Sequence, residues 1–258
     1  MRVNLQPTGD MPPASAVLGL WAVLLFAVPV QGQFSAVPGV VRLSASATSD
    51  AAVVHVRNEG ERTLQFRIYA GDYDQGENGD YAVQPFGANA RSCEGKLSFF
   101  PDNTVLSPGE GQEVQVRMEG GDACWSLLFI EAAADEDARV RIAERIGVRV
   151  LNVPPGLAFE GEVVYVEAVH HDSLDIDVAF HNTGSAPVEL HGAVEIRRLE
   201  GDVAARADVG PFGVLPEHVR RIRVLLPGDL PAGQYLAVPV LDFGGDYLAG
   251  GQVLFTVR

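Results

Sequence analysis

Along much of this chain, apolar and polar residues alternate one for one. In 52–58, Val54 and Val56 fall on one side and His55 and Arg57 on the other. In 64–70, Leu64, Phe66 and Ile68 alternate with Gln65, Arg67 and Tyr69, and 113–118 (EVQVRM) and 174–182 (LDIDVAFHN) keep the same rhythm. A period of two sends successive side chains to opposite faces of an extended chain, so each segment predicts a strand with one face on a core and one in water. Segment 124–132 (CWSLLFIEA) is apolar at successive positions, which predicts a central strand covered on both faces. Further strands are predicted at 40–46, 96–101, 161–169, 188–199, 220–226, 231–245 and 250–258. The Gly- and Asp-rich stretch 71–90 predicts a long loop or loose hairpin. No segment carries a helical period, which excludes a parallel α/β fold.

The pattern is also repeated. Residues 53–70 (VVHVRNEGERTLQFRIYA) and 176–194 (IDVAFHNTGSAPVELHGAV) each give an apolar strand ending in Asn-x-Gly, three residues, then a second alternating strand. Each is followed by a proline-containing turn and another strand, at 106–118 (LSPGEGQEVQVRM) and 215–226 (LPEHVRRIRVLL). The repeated Asn-x-Gly predicts a tight turn, with Gly60 and Gly184 at positive φ and Asn58 and Asn182 bonding the turn backbone. The last strand of the first copy is predicted over 140–153. Val140, Ile142, Ile146, Val148 and Val150 share its aliphatic face with Glu144, and Arg139, Arg141, Arg145 and Arg149 define the other. Pro154, Pro155 and Gly156 stop it and mark a domain boundary. The chain therefore reads as all-β: two tandem Ig-like β-sandwich domains, 33–153 and 154–258.

An apolar run from Ala14 to Val30 precedes them, behind a short polar stretch with Arg2 and ahead of Val30-Gln31-Gly32. That is the layout of a secretory signal peptide over 1–32, cleaved before Gln33; the alternative is an uncleaved membrane anchor, for which the run is short. No second long apolar run follows, so no membrane span is expected after leader cleavage. The formal charge of −15 disfavours nucleic acid and offers no polybasic membrane patch. In an exported protein the two cysteines, Cys93 and Cys124, read as one disulfide.

Candidate chemistry is sparse. His170-His171-Asp172 could bind a metal, but adjacent residues on an extended chain point apart, and a solvated turn is the simpler reading. Asp72, Asp74, Glu77 and Asp80 resemble a loose calcium loop without the EF-hand glycine and terminal Glu, beside the simpler reading of a flexible acidic loop. There is no Gly-x-Ser-x-Gly elbow and no HExxH. The expectation is a protein that is not an enzyme and takes no cofactor or metal. The strand over 140–153 could complete its own sheet or pair with another protein by β-augmentation.

A leader, a strand ending V-x-V-x-N-x-G, a Ser-Pro-Gly-Glu turn before E-V-Q-V-R, a hydrophobic strand and a last strand running to proline together resemble the N-terminal domain of periplasmic pilus-assembly chaperones, over residues 37–154. The second half (NTGSAPVEL, PAGQY) resembles generic bacterial Ig-like modules. The resemblance implies a periplasmic, secreted or cell-surface protein that binds a pilus or surface subunit by β-strand donation, with an outer-membrane usher as a further partner. It implies that Arg42, on the first strand, and Arg149, five residues before Pro154, anchor the subunit's C-terminal carboxylate, with Ile146, Val148 and Val150 lending the strand. Arg149 stands where that family carries Lys, which keeps the charge and changes the donor geometry. The alternative is a structural or adhesive surface module without chaperone activity.

Overall fold

A computed structural model describes residues 33–45, 48–133 and 143–258. Ten strands make the first sandwich: β1 (Phe34–Val37), β2 (Val40–Leu43), β3 (Asp50–Asn58), β4 (Leu64–Gln75), β5 (Tyr81–Gln84), β6 (Leu97–Phe100), β7 (Asn103–Leu106), β8 (Gly111–Met118), β9 (Cys124–Ala132) and β10 (Glu144–Asn152). One layer runs β1-β3-β8-β6; the other runs β2-β10-β9-β4, with β5 and β7 both added to β4. The chain crosses from one layer to the other at Pro38: β1 pairs antiparallel with β3, and β2 pairs parallel with β10.

The alternation decides which face is inside. Val54 and Val56 of β3 and Val114, Val116 and Met118 of β8 face Phe66 and Ile68 of β4, Leu128 and Ile130 of β9, and Val148 and Val150 of β10. The Cys93–Cys124 disulfide lies in this core, with its Cα atoms 5.2 Å apart. Strand β9 is buried at seven successive positions, Cys124–Ile130. Its inner residues join the core, and its outer residues, Trp125, Leu127 and Phe129, form a second apolar cluster with Tyr73, Leu151 and Leu215.

The second sandwich comprises β11 (Gly161–His170), β12 (Ser173–Asn182), β13 (Val188–Arg198), β14 (Val203–Val214), β15 (Val219–Pro227), β16 (Gly233–Asp242), β17 (Ala249–Gly250) and β18 (Val253–Val257). A β11-β12-β15 layer packs on β14-β13-β16, with β17 and β18 both added to β16. Leu174, Ile176, Val178 and Phe180 project from β12 into this core, as their spacing predicts. The Tyr235 hydroxyl donates to the Pro231 carbonyl at 2.8 Å, the tie known from Ig-like sandwiches as a tyrosine corner. The described residues of the two sandwiches form one compact unit.

The repeated asparagines do the same work in both sandwiches. Asn58 Nδ2 donates to the carbonyls of Arg62 (2.7 Å) and Leu106 (2.9 Å), and its Oδ1 accepts from Gly60 N (3.0 Å). Asn182 Nδ2 donates to Ala186 (2.9 Å) and Val214 (3.0 Å), and its Oδ1 accepts from Gly184 N (3.1 Å). The glycines depart from the sequence reading, because neither Gly60 nor Gly184 is at positive φ. Gly184 is required for a different reason: a Cβ there would lie 2.3 Å from the Ala158 carbonyl oxygen.

Strands β1, β7 and β14 are absent from the sequence reading, while β5 pairs with the end of β4 as the hairpin alternative for 71–90 has it. β14 (VAARADVGPFGV) is an edge strand that carries Pro211, a residue that in sequence argues against a strand, although an edge tolerates it. The predicted leader over 1–32, and Arg139, Val140, Arg141 and Ile142 of the predicted last strand, lie outside the described residues.

Candidate functional site

The outer face of the β2-β10-β9-β4 layer carries the residues singled out in sequence. Register pairs Arg42 with Leu151, Leu151 with Trp125, Arg149 with Val40 on one side and with Leu127 on the other, and Leu127 with Gly71. Arg42 and Arg149 therefore project from adjacent strands on the face that looks toward the second sandwich. Both line one narrow cleft between the sandwiches, with a free volume of about 10 Å³, room for about one water-sized group. Tyr73, Gln75 and Leu151 complete the first sandwich's wall, and residues 187–188 and 213–215 form the opposite one.

The two arginines are held differently. Arg42 Nη1 donates to the Pro187 carbonyl at 3.5 Å, and its Nη2 lies 4.0 Å from Glu189, both long contacts on a half-exposed side chain. The Arg149 guanidinium lies against Gly213, where a Cβ would come within 2.2 Å of Nη1. Arg149 is half-buried and has no carboxylate partner among the described residues. A half-buried cation without a carboxylate partner leaves positive charge on the cleft wall, which favours an anion there.

The remaining predicted residues lie on the same strand. Val148 and Val150 are fully buried in the first core, while Ile146 is half-buried at its margin. The side chains of Val148 and Val150 are thus engaged within the protein, and β10 offers a partner mainly its backbone. β9 pairs with all of β10, but β2 pairs only with Arg149–Asn152. The other edge of Glu144–Val148 carries no strand among the described residues, with Arg145 and Gly147 exposed there. An open run of backbone donors and acceptors thus leads directly to Arg149.

The acidic run is a hairpin that fixes the opposite wall. Strand β4 continues to Gln75 and turns into β5. Asp72 is buried and accepts from Gly87 N (2.9 Å), Asn89 N (3.1 Å) and the Ser92 and Ser126 hydroxyls (both 2.9 Å). Gln75 reaches the second sandwich, with Nε2 donating to Gly213 O (2.8 Å) and Oε1 accepting from Leu215 N (2.9 Å). Asp74 accepts from His218 Nε2 at 2.7 Å, which holds its carboxyl below the usual range. Glu77 pairs with Arg221 at 2.8 Å, and its carbonyl accepts from Arg221 N at 2.7 Å, so the hairpin tip bonds to strand β15. Three of the four acids are therefore engaged by protein donors, and no cluster of three or more metal-ligating side chains occurs among the described residues.

No family model matches the chain, and no curated protein matches it. The chain is similar in structure to the class 5 fimbriae chaperone CfaA, at 11% identity and a TM-score of 0.49, over 87% of this chain and 100% of that one. It is similar to the YadV chaperone at 12% identity and a TM-score of 0.44, over 87% of this chain and 100% of that one. It is similar to the E. coli chaperone DraB at 13% identity and a TM-score of 0.42, over 87% of this chain and 97% of that one.

Sequence reasoning singled out Arg42 and Arg149, which line this cleft, but not Tyr73 and Gln75, which line it with them. The period of two that defines β4 continues through Tyr69, Gly71, Tyr73 and Gln75 on the outer face, and that was the available signal. Among the histidines, His170 and His171 sit at the β11–β12 turn, where the Gly228 carbonyl accepts from His170 Nε2 at 2.9 Å and the Ser173 carbonyl accepts from His171 N at 3.0 Å.

Proposed function

We propose that this is a non-enzymatic, exported chaperone-like protein that holds an extended segment of a pilus or surface subunit along β10. The subunit's terminal carboxylate sits between Arg42 and Arg149. One observation carries the reading: two arginines from neighbouring strands converge on one cleft, one of them lacks a carboxylate partner, and the open edge of Glu144–Val148 leads straight to it. An added strand supplies backbone hydrogen bonds, and the carboxylate fixes its register. Two guanidinium groups suit a carboxylate because they present paired N–H donors. The limits at 33–153 and 154–258, the leader over 1–32 and a periplasmic or cell-surface location belong to the same reading, as does an usher as a further partner.

The test is titration of a synthetic peptide of alternating valine and threonine, ending in a free carboxylate, into the wild type, Arg42→Gln and Arg149→Gln. Charge-assisted hydrogen bonds contribute about 1.5–3 kcal/mol each, so each variant is expected to weaken binding roughly ten- to a hundredfold. Equal affinity in all three proteins contradicts the reading and favours a surface module that does not use this cleft.

A further inference from the structure

The cleft contains a third polar group that sequence and resemblance both leave unassigned. Tyr73 follows Gly71 on the outer face of β4 and is 1% exposed. It packs edge-on to Tyr81, with ring centroids 4.9 Å apart, inside the cluster with Trp125, Leu151 and Leu215. The Tyr73 hydroxyl makes no hydrogen bond to any described residue. It is also not sealed away, because the one enclosed side-chain nitrogen or oxygen without a partner among the described residues is Arg220 Nε. Tyr73 lines the cleft together with Arg42 and Arg149. A tyrosine this buried ordinarily finds a partner for its hydroxyl, and leaving one unmade costs stability.

We propose that the Tyr73 hydroxyl is the third donor of this anion site, donating to a carboxylate oxygen held by Arg42 and Arg149. This deepens the reading above and rests on it. Two guanidinium groups alone attract any anion, whereas a phenol in a closed apolar cluster adds a directional donor at a fixed point and thereby favours a ligand with an acceptor oxygen there. Burial, and secondarily Tyr81, push the Tyr73 phenol well above the ordinary tyrosine range, against the opposing pull of Arg149 and Arg42. The hydroxyl therefore keeps its proton, and its capacity to donate, throughout the pH range in which the protein works.

Tyr73→Phe removes the hydroxyl and leaves the ring. Three readouts are taken with the alternating valine–threonine peptide: affinity for the free-acid form, affinity for its C-terminal amide, and the urea midpoint without peptide. The expected result is a three- to tenfold loss for the free acid, little change for the amide, and an unchanged or raised midpoint, because no bond within the protein is lost. A lowered midpoint with unchanged free-acid affinity makes Tyr73 a structural residue and overturns the proposal. If Arg42→Gln and Arg149→Gln weaken binding but Tyr73→Phe does not, the third donor fails and the two-arginine site stands. If none of the three weakens it, the underlying reading fails as well.

Discussion

Replacing Gln75 with leucine tests whether the cleft is a built feature of the chain. Leucine approximates the volume of glutamine and removes both polar contacts to the second sandwich, 2.8 Å to Gly213 O and 2.9 Å to Leu215 N. Gln75 is 8% exposed and Leu215 4%, so water cannot fully replace what is lost. The orphaned Leu215 N–H costs about 1–3 kcal/mol, and the half-exposed Gly213 carbonyl adds less, giving about 2–3 kcal/mol in all. That is a large part of the few kcal/mol to roughly 15 kcal/mol that separates native from unfolded states in most domains. Urea unfolding followed by tryptophan fluorescence and by far-ultraviolet circular dichroism measures it. Of the two tryptophans, Trp21 lies in the predicted leader and Trp125 packs in the cluster that contains Leu215, so fluorescence reports the junction and dichroism reports both sandwiches. The variant is expected to lose about 2–3 kcal/mol by fluorescence and to bind the free-acid peptide more weakly. A loss below about 0.5 kcal/mol, the scatter of ordinary surface substitutions, would show that Gln75 does not tie the sandwiches together.

Other outcomes are equally specific. Gly184→Ala forces a Cβ to within 2.3 Å of Ala158 O and is expected to cost about 1–3 kcal/mol or more. Gly60→Ala meets nothing nearer than 3.3 Å and should cost less than about 1 kcal/mol, so equal urea midpoints for the pair contradict the contrast. Replacing both Cys93 and Cys124 with alanine opens a loop with a sequence separation of 31 and should cost about 3.5–4 kcal/mol, readable as a lowered midpoint. The hydrogen bond from His218 depresses the Asp74 carboxyl. Its contribution to stability is therefore present above the ordinary Asp value of about 3.9 and is lost as pH falls through the lower folded value. Asp74→Asn is expected to make stability less steeply dependent on pH below about 4, by a small amount because Asp74 is half-exposed; an unchanged acid profile counts against the pair.

Much of the fold was legible because burial follows the period of two. Val54 and Val56, Phe66 and Ile68, and Leu174 to Phe180 all face the cores that their spacing predicted. A largely apolar run, Cys124–Ile130 with only Ser126 polar, placed β9 between two covered surfaces, although sequence could not say that Leu215 of the second sandwich supplies part of the cover. Arg42 and Arg149 were reachable through resemblance, but their convergence depends on the parallel pairing of β2 with β10, which no local pattern encodes. Tyr73 and Gln75 were hidden because Gly71, Asp72 and Asp74 read as loop chemistry. Asp72 lies in a strand because four protein donors satisfy its buried carboxylate, a long-range arrangement that local propensity does not report. Val148 and Val150 were candidates for a partner, and the structure commits their side chains to the first core.

The central claim is that the cleft holds a carboxylate at the end of an added strand. The most direct measurement compares the affinity of the wild-type protein for the alternating valine–threonine peptide as the free acid and as the C-terminal amide. Arg42 and Arg149 should favour the free acid by at least about tenfold, a preference that shrinks when Arg149 is replaced by glutamine. Equal affinity for acid and amide would contradict the claim, because the arginines would then not be holding the terminus.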